Sequence, residues 1–208
     1  MARQTRQRIL DASLVMFNAQ GEPNVTTNHI ADELEISPGN LYYHFRNKDD
    51  IIEQLFGGYE QRMDAALTAP EGRLPGLEDV WLQLHLVFEC IWDYRFLYRD
   101  LVDILTRNRR LRLRFARILK RADEQAHQVM RGLVKAGVMR ASADELDAAA
   151  TNVLVIATFW MNYAAARGDK DERASIRDGI VQVMMLIAPF LRDAERVHLN
   201  TLTRAYIE

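Results

Sequence analysis

The stretch SPGNLYYHFRNKDD, residues 37–50, decides how the chain is read, because a proline, a glycine and two adjacent tyrosines lie between segments of strong helical pattern. Ser37 offers a capping hydroxyl, and Pro38 suits the first helical position, where its missing N–H would have had no intrahelical acceptor. The helix opened there is short, about two turns to Phe45, and Asn47 can cap the next. Leu41 and Phe45, four apart, share a face and form an inward anchor. Asn40, Tyr42, Tyr43 and His44 then carry their hydrogen-bonding tips outward.

Upstream, residues 3–20 predict a helix with Ile9, Ala12, Leu14, Met16 and Phe17 on its apolar side, ended by Gly21. Thr26 or Thr27 caps a second helix through Ile30, Ala31 and Leu34, and a break at 35–37 follows. Downstream, a helix over 48–67 buries Ile51, Ile52, Leu55, Phe56 and Tyr59. The cluster TAPEGRLPG, 68–76, reads as a linker. Helices are expected over 77–94, 96–107, 109–136 (stopped at Gly137), 143–166 (opened by the capping box SADE at 142–145) and 172–192. There is no internal repeat, low-complexity tract or period-two alternation, so the class is all-α.

At 208 residues, 49% hydrophobic and 27% charged, the chain has the composition of a soluble globular protein. Its net charge of −2 does not advertise nucleic acid, so such a reading must rest on local placement. The single cysteine, Cys90, allows neither an internal disulfide nor a cysteine cluster for zinc. The start, MARQTRQRILDASLVMF, lacks the uninterrupted apolar stretch of a signal peptide, and runs such as VLVIATFWM, 153–161, are too short to span a bilayer. A soluble cytoplasmic protein with no membrane partner is expected.

Two short helices joined by a three-residue turn and backed by a longer one have the dimensions of a helix-turn-helix, whose second helix enters the major groove of DNA. Pro38 and Gly39 add little bulk, so the helix start can approach closely. Lys48 and the free amides at the start of its helix can hold phosphates. Residues 1–50 carry five Lys or Arg against seven acids. Affinity should therefore fall only modestly with salt, as for about 3 or 4 neutralised phosphates per subunit. A half-site this weak argues for a dimer on a palindrome.

The segment TTNHIADELEISPGNLYYHFRNKDDIIEQL, preceded by FNAQG, resembles the TetR family of bacterial transcriptional regulators across roughly residues 5–60. The resemblance implies a homodimeric repressor. Its helix-turn-helix domain (residues 1–50) would join through a linking helix (48–67) to a C-terminal ligand-binding and dimerisation domain (68–208). It implies double-stranded operator DNA and a small apolar or aromatic inducer as partners, with no cofactor, metal or catalysis. By carry-over, Thr27 and Lys48 hold phosphates, Tyr42 meets the backbone, and Pro38, Gly39, Asn40, Tyr43 and His44 lie nearest the bases. Glu35 departs from the pattern, standing where the family often has glycine. A positive φ there would strain it by roughly 1 kcal/mol.

In the second domain two sets of residues stand out. Leu146, Ala150, Val153, Leu154, Ala157 and Met161, with Ile176, Ile180, Val183, Met184 and Ile187, recur at helical spacing and suit a four-helix dimer interface; the alternative is the core of one protomer. Trp81, His85, Phe88, Glu89, Trp92, Phe115, Phe159, Trp160 and Tyr163 form an aromatic set with polar tips, suited to a ligand pocket or to plain core packing. The basic run RNRRLRLRFARILKR, 107–121, is either an anion-binding face or a solvated one. A DNA-binding adaptor would use it to dock a protein. The pairs Glu124/His127 and Glu195/His198 leave open a helical di-metal carboxylate enzyme.

Overall fold

The computed structural model describes residues 2–68 and 72–207. Ala69, Pro70 and Glu71 of the linker lie outside the described residues. Eleven α-helices are described: α1 (Ala2–Gln20), α2 (Thr27–Glu33), α3 (Pro38–His44), α4 (Lys48–Ala66), α5 (Leu77–Asp93), α6 (Arg95–Arg99), α7 (Leu101–Arg107), α8 (Arg109–Lys135), α9 (Ala143–Arg167), α10 (Glu172–Ile187) and α11 (Asp193–Ile207). The only extended pairing among the described residues is an isolated bridge between Met139 and Leu191, so the class is all-α.

The helix starts obey their local chemistry. Thr26 Oγ1 accepts from the His29 amide at 3.2 Å while His29 Nδ1 accepts from the Thr26 amide at 3.3 Å. Ser37 Oγ accepts from the Asn40 amide at 3.2 Å, with Pro38 in the first turn. Asn47 Oδ1 accepts from the Asp50 amide at 2.8 Å, and Asp50 in return accepts from the Arg46 amide at 3.1 Å. Ser142 and Glu145 close the box expected from SADE, which draws the Glu145 carboxyl below its ordinary value. Each device satisfies amides that a helix start leaves without partners.

Three departures from the sequence reading have physical causes. The helix expected over 96–107 is broken at Asp100, whose φ of −106° and ψ of 21° leave the helical region. The last expected helix stops at Ile187, where Pro189 enters a 3-10 turn over Ala188–Phe190. The chain then opens α11, which the sequence reading had not assigned; its buried residues, Leu199 and Thr203, are too few to make a conspicuous apolar stripe.

The chain forms two compact units. The first comprises residues up to Arg62 together with Asp93–Arg114, so α6 and α7 pack in the same compact unit as the N-terminal helices. Asn18 explains this: its amide donates to Asp93 O at 2.8 Å and its carbonyl accepts from the Phe96 amide at 3.1 Å. Phe96 then packs on Phe17 with ring centres 5.3 Å apart, and the hydroxyls of Tyr59 and Tyr98 bond at 2.7 Å inside the same core.

The second unit comprises Met63–Trp92 and Phe115–Glu208. Its central pair is α9 on α10, tied by Trp160 Nε1 donating to Ser175 O at 2.5 Å. Gly179 lies where an added Cβ would be 2.5 Å from Phe88 and 2.7 Å from Trp160, so its bareness permits this packing. At 25 residues α9 is, by length and composition alone, long and apolar enough to cross a membrane, although it contains no unbroken apolar run of that length. Its Leu146, Ala149, Ala150, Met161 and Ala164 are buried within the unit.

Candidate nucleic-acid interface and ligand cavity

In the first unit α2 and α3 meet through a turn at Glu35, whose φ of 54° lies in the left-handed region that favours glycine. The turn is held by Glu35 N donating to Asp32 O at 3.1 Å and Ile36 N to Ala31 O at 3.0 Å. On α3 the anchors are fully seated, with Leu41 0% and Phe45 3% exposed, whereas Tyr42 and Tyr43 are 48% and 79% exposed. Pro38, Gly39 and Asn40 are also exposed, while His44 is half-buried with its ring edge-on to Tyr43. Thr27 Oγ1 and Tyr42 OH lie 3.0 Å apart, which sets the start of α2 against the outer face of α3. Arg6 rests over the Phe45 ring.

Lys48 departs from expectation. Its ammonium donates to Glu22 O at 2.9 Å and Val25 O at 3.0 Å, and pairs with the Glu22 carboxylate at 2.8 Å. Glu22 is fully buried and takes Arg107 on its other oxygen at 2.7 Å. The lysine thus pins the start of α4 to the 3-10 turn at Glu22–Asn24, with two N–H groups donating to backbone carbonyls and its charge paired with Glu22. The sequence signal for this was Glu22 itself, an acid in the loop between two helices that Lys48 approaches.

The basic run is engaged in the same way. Arg110 pairs with Glu53 at 2.9 Å, and Arg114 pairs with Glu60 at 2.7 Å while lying over the Phe56 ring, all within the first unit. Within the second, Arg121 pairs with Asp64. These cations fasten helices of the chain itself, which weakens both the anion-binding and protein-docking readings of the run.

The second unit encloses a cavity of about 100 Å³. Its walls include Val80, Gln83, Leu84 and Val87 of α5, Ala126, Val129, Met130 and Leu133 of α8, Val153, Leu154 and Ala157 of α9, and Val183 and Ile187 of α10. None of the nine residues assigned to a pocket from sequence lines it. Trp81 stacks on His85, Arg173 pairs with Glu89 at 2.9 Å and covers the Trp92 ring, and Phe88, Phe115 and Trp160 are core. Phe159 and Tyr163 point out of the unit at 45% and 55% exposure.

The residues assigned to a dimer interface are displaced correspondingly. Leu146, Ala150, Met161, Ile176, Ile180, Val183, Met184 and Ile187 are buried within the protomer, and Val153, Leu154, Ala157, Val183 and Ile187 line the cavity. The apolar surface that α9 and α10 leave open is Val155, Phe159, Tyr163 and Met185. Periodicity identified the helices and their apolar stripes but not whether a stripe faced its own protomer or a second copy.

The two Glu-x-x-His pairs have other uses. His127 bonds Asp123 O at 2.8 Å and Asp147 at 2.9 Å, joining α8 to α9, and His198 bonds Glu78 at 2.7 Å, joining α11 to α5. No group of three His, Cys, Asp or Glu residues that could hold a metal ion occurs among the described residues.

The chain matches the family described as "Bacterial regulatory proteins, tetR family" over residues 9–55 and that described as TetR, "Bacterial transcriptional repressor", over residues 58–199. The chain belongs to the TetR family. A TetR-family transcriptional regulator from Marinobacter aquaeolei VT8 is similar along its whole length, 39% identical with a TM-score of 0.89 over 98% of this chain and 99% of that one. The SmeT–triclosan complex shares the fold at 21% identity and a TM-score of 0.60, covering 92% of this chain and 94% of that one. Among curated relatives, the Mycolicibacterium smegmatis HTH-type transcriptional repressor KstR2 is 36% identical over 80 residues, which are 35% of this chain and 38% of that one. The Pseudomonas putida regulator TtgW is 34% identical over 71 residues, which are 34% of this chain and 53% of that one. The chain thus aligns with about half or less of these curated relatives' length.

Proposed function

We propose that this TetR-family chain binds a palindromic operator in double-stranded DNA as a homodimer and represses until a small apolar molecule occupies the cavity of the second unit. The observation that carries the DNA reading is the contrast on α3: two tyrosines stand in solvent on a two-turn helix whose Leu41 and Phe45 are sealed. An exposed aromatic pair carrying hydroxyls suits phosphates, base edges and thymine methyl groups, and the anchors fix its direction. Asn40, Tyr43 and His44 are assigned to bases; Thr27, Tyr42 and the α2 amides are assigned to phosphates.

Dimerisation is assigned to the Val155, Phe159, Tyr163 and Met185 surface, an exposed apolar strip that a second copy would cover. Release follows if the ligand prefers the conformation whose two recognition helices are wrongly spaced for DNA. The ligand-bound SmeT structure, of the same fold, supports a ligand role for this architecture.

Selection of bound duplexes from a random pool tests the reading. A recovered palindrome with half-sites about one helical turn apart, or a multiple of it, is expected. Tyr43→Ala should then weaken the selected site by about 1–3 kcal/mol and relax its sequence preference. Enrichment of no sequence, or of asymmetric single sites, would end the dimeric-operator reading.

A further inference from the structure

The cavity of the second unit is almost wholly aliphatic, and the exceptions are informative. Among the described residues, Gln83 of α5 and Gln125 of α8 are the only polar side chains in its lining, which holds no charged residue and no aromatic ring. The Gln83 Nε2 and Gln125 Oε1 atoms are both shielded from solvent, and neither has a hydrogen-bond partner among the described residues. Buried amide groups are nearly always satisfied in folded proteins, so two orphaned atoms on one small cavity form a polar pair awaiting a partner. Gln125 Nε2 makes a long contact of 3.5 Å to Gln128 Oε1, so the unmet group of this side chain is its carbonyl.

We infer that the cavity selects a neutral, hydroxyl-bearing ligand with a small apolar body, a one-ring or short-chain alcohol or phenol, whose OH accepts from Gln83 and donates to Gln125. This deepens the proposed function and rests on it for the consequence of binding, but not for the binding itself. The pair requires a group that both donates and accepts. A carboxylate only accepts, an ammonium only donates, and both carry a charge that no residue of the lining neutralises. A ketone satisfies Gln83 and leaves Gln125 orphaned. A hydroxyl serves both amides, its oxygen accepting from Gln83 Nε2 and its proton going to Gln125 Oε1.

A water can also bridge two such amides. An alcohol displaces that water, keeps both hydrogen bonds and adds apolar burial against Leu84, Val129 and Leu154, so it gains where a pure hydrocarbon loses. Size sets the class. An apolar cavity of about 150 Å³ takes benzene, and the cavity here is about 100 Å³. A single ring therefore enters only with slight outward movement of the surrounding helices, which is the differential fit that a releasing ligand needs.

The test compares phenol with toluene, which exchanges the hydroxyl for a methyl group on the same ring, by calorimetry and by thermal stabilisation of the full chain. The wild type should bind phenol at least tenfold more tightly than toluene, and Gln83→Leu combined with Gln125→Leu should abolish or reverse that preference. Leucine replaces unsatisfied amides in an apolar wall, so the double variant should keep its helical circular dichroism and its melting temperature. Equal binding of phenol and toluene by the wild type, or a preference that survives in the double variant, overturns the hydroxyl assignment while leaving the cavity as a ligand site. Binding of neither compound overturns both. Preferential phenol binding that leaves operator affinity unchanged upholds the hydroxyl assignment and removes the release step instead.

Discussion

At Lys48 the ammonium has three acceptors within 3.0 Å, two of them backbone carbonyls and the third the buried Glu22 carboxylate. The family resemblance gives this lysine a phosphate, a duty that competes with these internal contacts for one ammonium. Truncation decides between them. Removing one partner of a buried ion pair costs about 3–5 kcal/mol. Arg107 still compensates Glu22, and the Lys48 side chain is 24% exposed, so Lys48→Met should cost less, about 1–2 kcal/mol in chemical denaturation. Unchanged stability with uniformly weakened binding to all DNA sequences would return the lysine to the phosphate. The neighbouring outward residues were legible from sequence because Leu41 and Phe45 fixed the facing of α3; the inward turn of Lys48 was not, because it depends on Glu22, which lies 26 residues away in another loop.

At the level of elements, caps and breakers were readable because they act within one turn of chain: Ser37, Asn47 and Ser142 each do what their hydroxyl or amide offered. Face assignment on α5, α9 and α10 was not, since it depends on partners distant in sequence. Gly179 illustrates the difference. In isolation Gly→Ala in a helix gains roughly 1 kcal/mol. Here the new methyl would lie 2.5 Å from Phe88 and 2.7 Å from Trp160, two rings with little room to yield. Overpacking of that kind costs about 1–3 kcal/mol, so Gly179→Ala should lower the melting temperature in spite of its propensity. A second element-level contact, His127, is sensitive to pH. Its bond to the Asp123 carbonyl, then that to Asp147, raises its pKa above the ordinary 6.5, opposed by burial. A raised pKa means the imidazolium favours the folded state, so the contribution is complete below the unfolded value and is lost as pH rises through the folded one. Glu124 and Arg131 line the same recess, with Asp123 and Gln128. The melting temperature of the wild type should therefore exceed that of Asp147→Asn most at about pH 5 and least at about pH 8. A gap that widened with rising pH would contradict the assignment.

For the whole molecule, the class and the DNA-binding half were readable because one compact motif concentrates its signals in about 30 residues of sequence. The second half spreads its signals over several helices: some residues expected between protomers line the cavity, while Phe159 and Tyr163, expected in a pocket, are half-exposed and border, with Trp160, a separate open recess. That displacement makes a prediction. Val155, Phe159 and Tyr163 recur every four residues on α9 and are 45–55% exposed, so a charge placed among them need not disturb the protomer. Buried between two copies, the same charge would be desolvated without a partner. Phe159→Glu should thus convert the protein to a monomer by sedimentation while its helical circular dichroism persists. Operator affinity should fall with it, because a single acidic half-site retains few phosphate contacts. Ile180→Glu is the control. Ile180 is 1% exposed inside the protomer, so a glutamate there should unfold the second unit instead of merely separating two intact copies. If Phe159→Glu remained a dimer while Ile180→Glu gave folded monomers, the interface would lie on the opposite face of these helices, where the sequence alone had placed it.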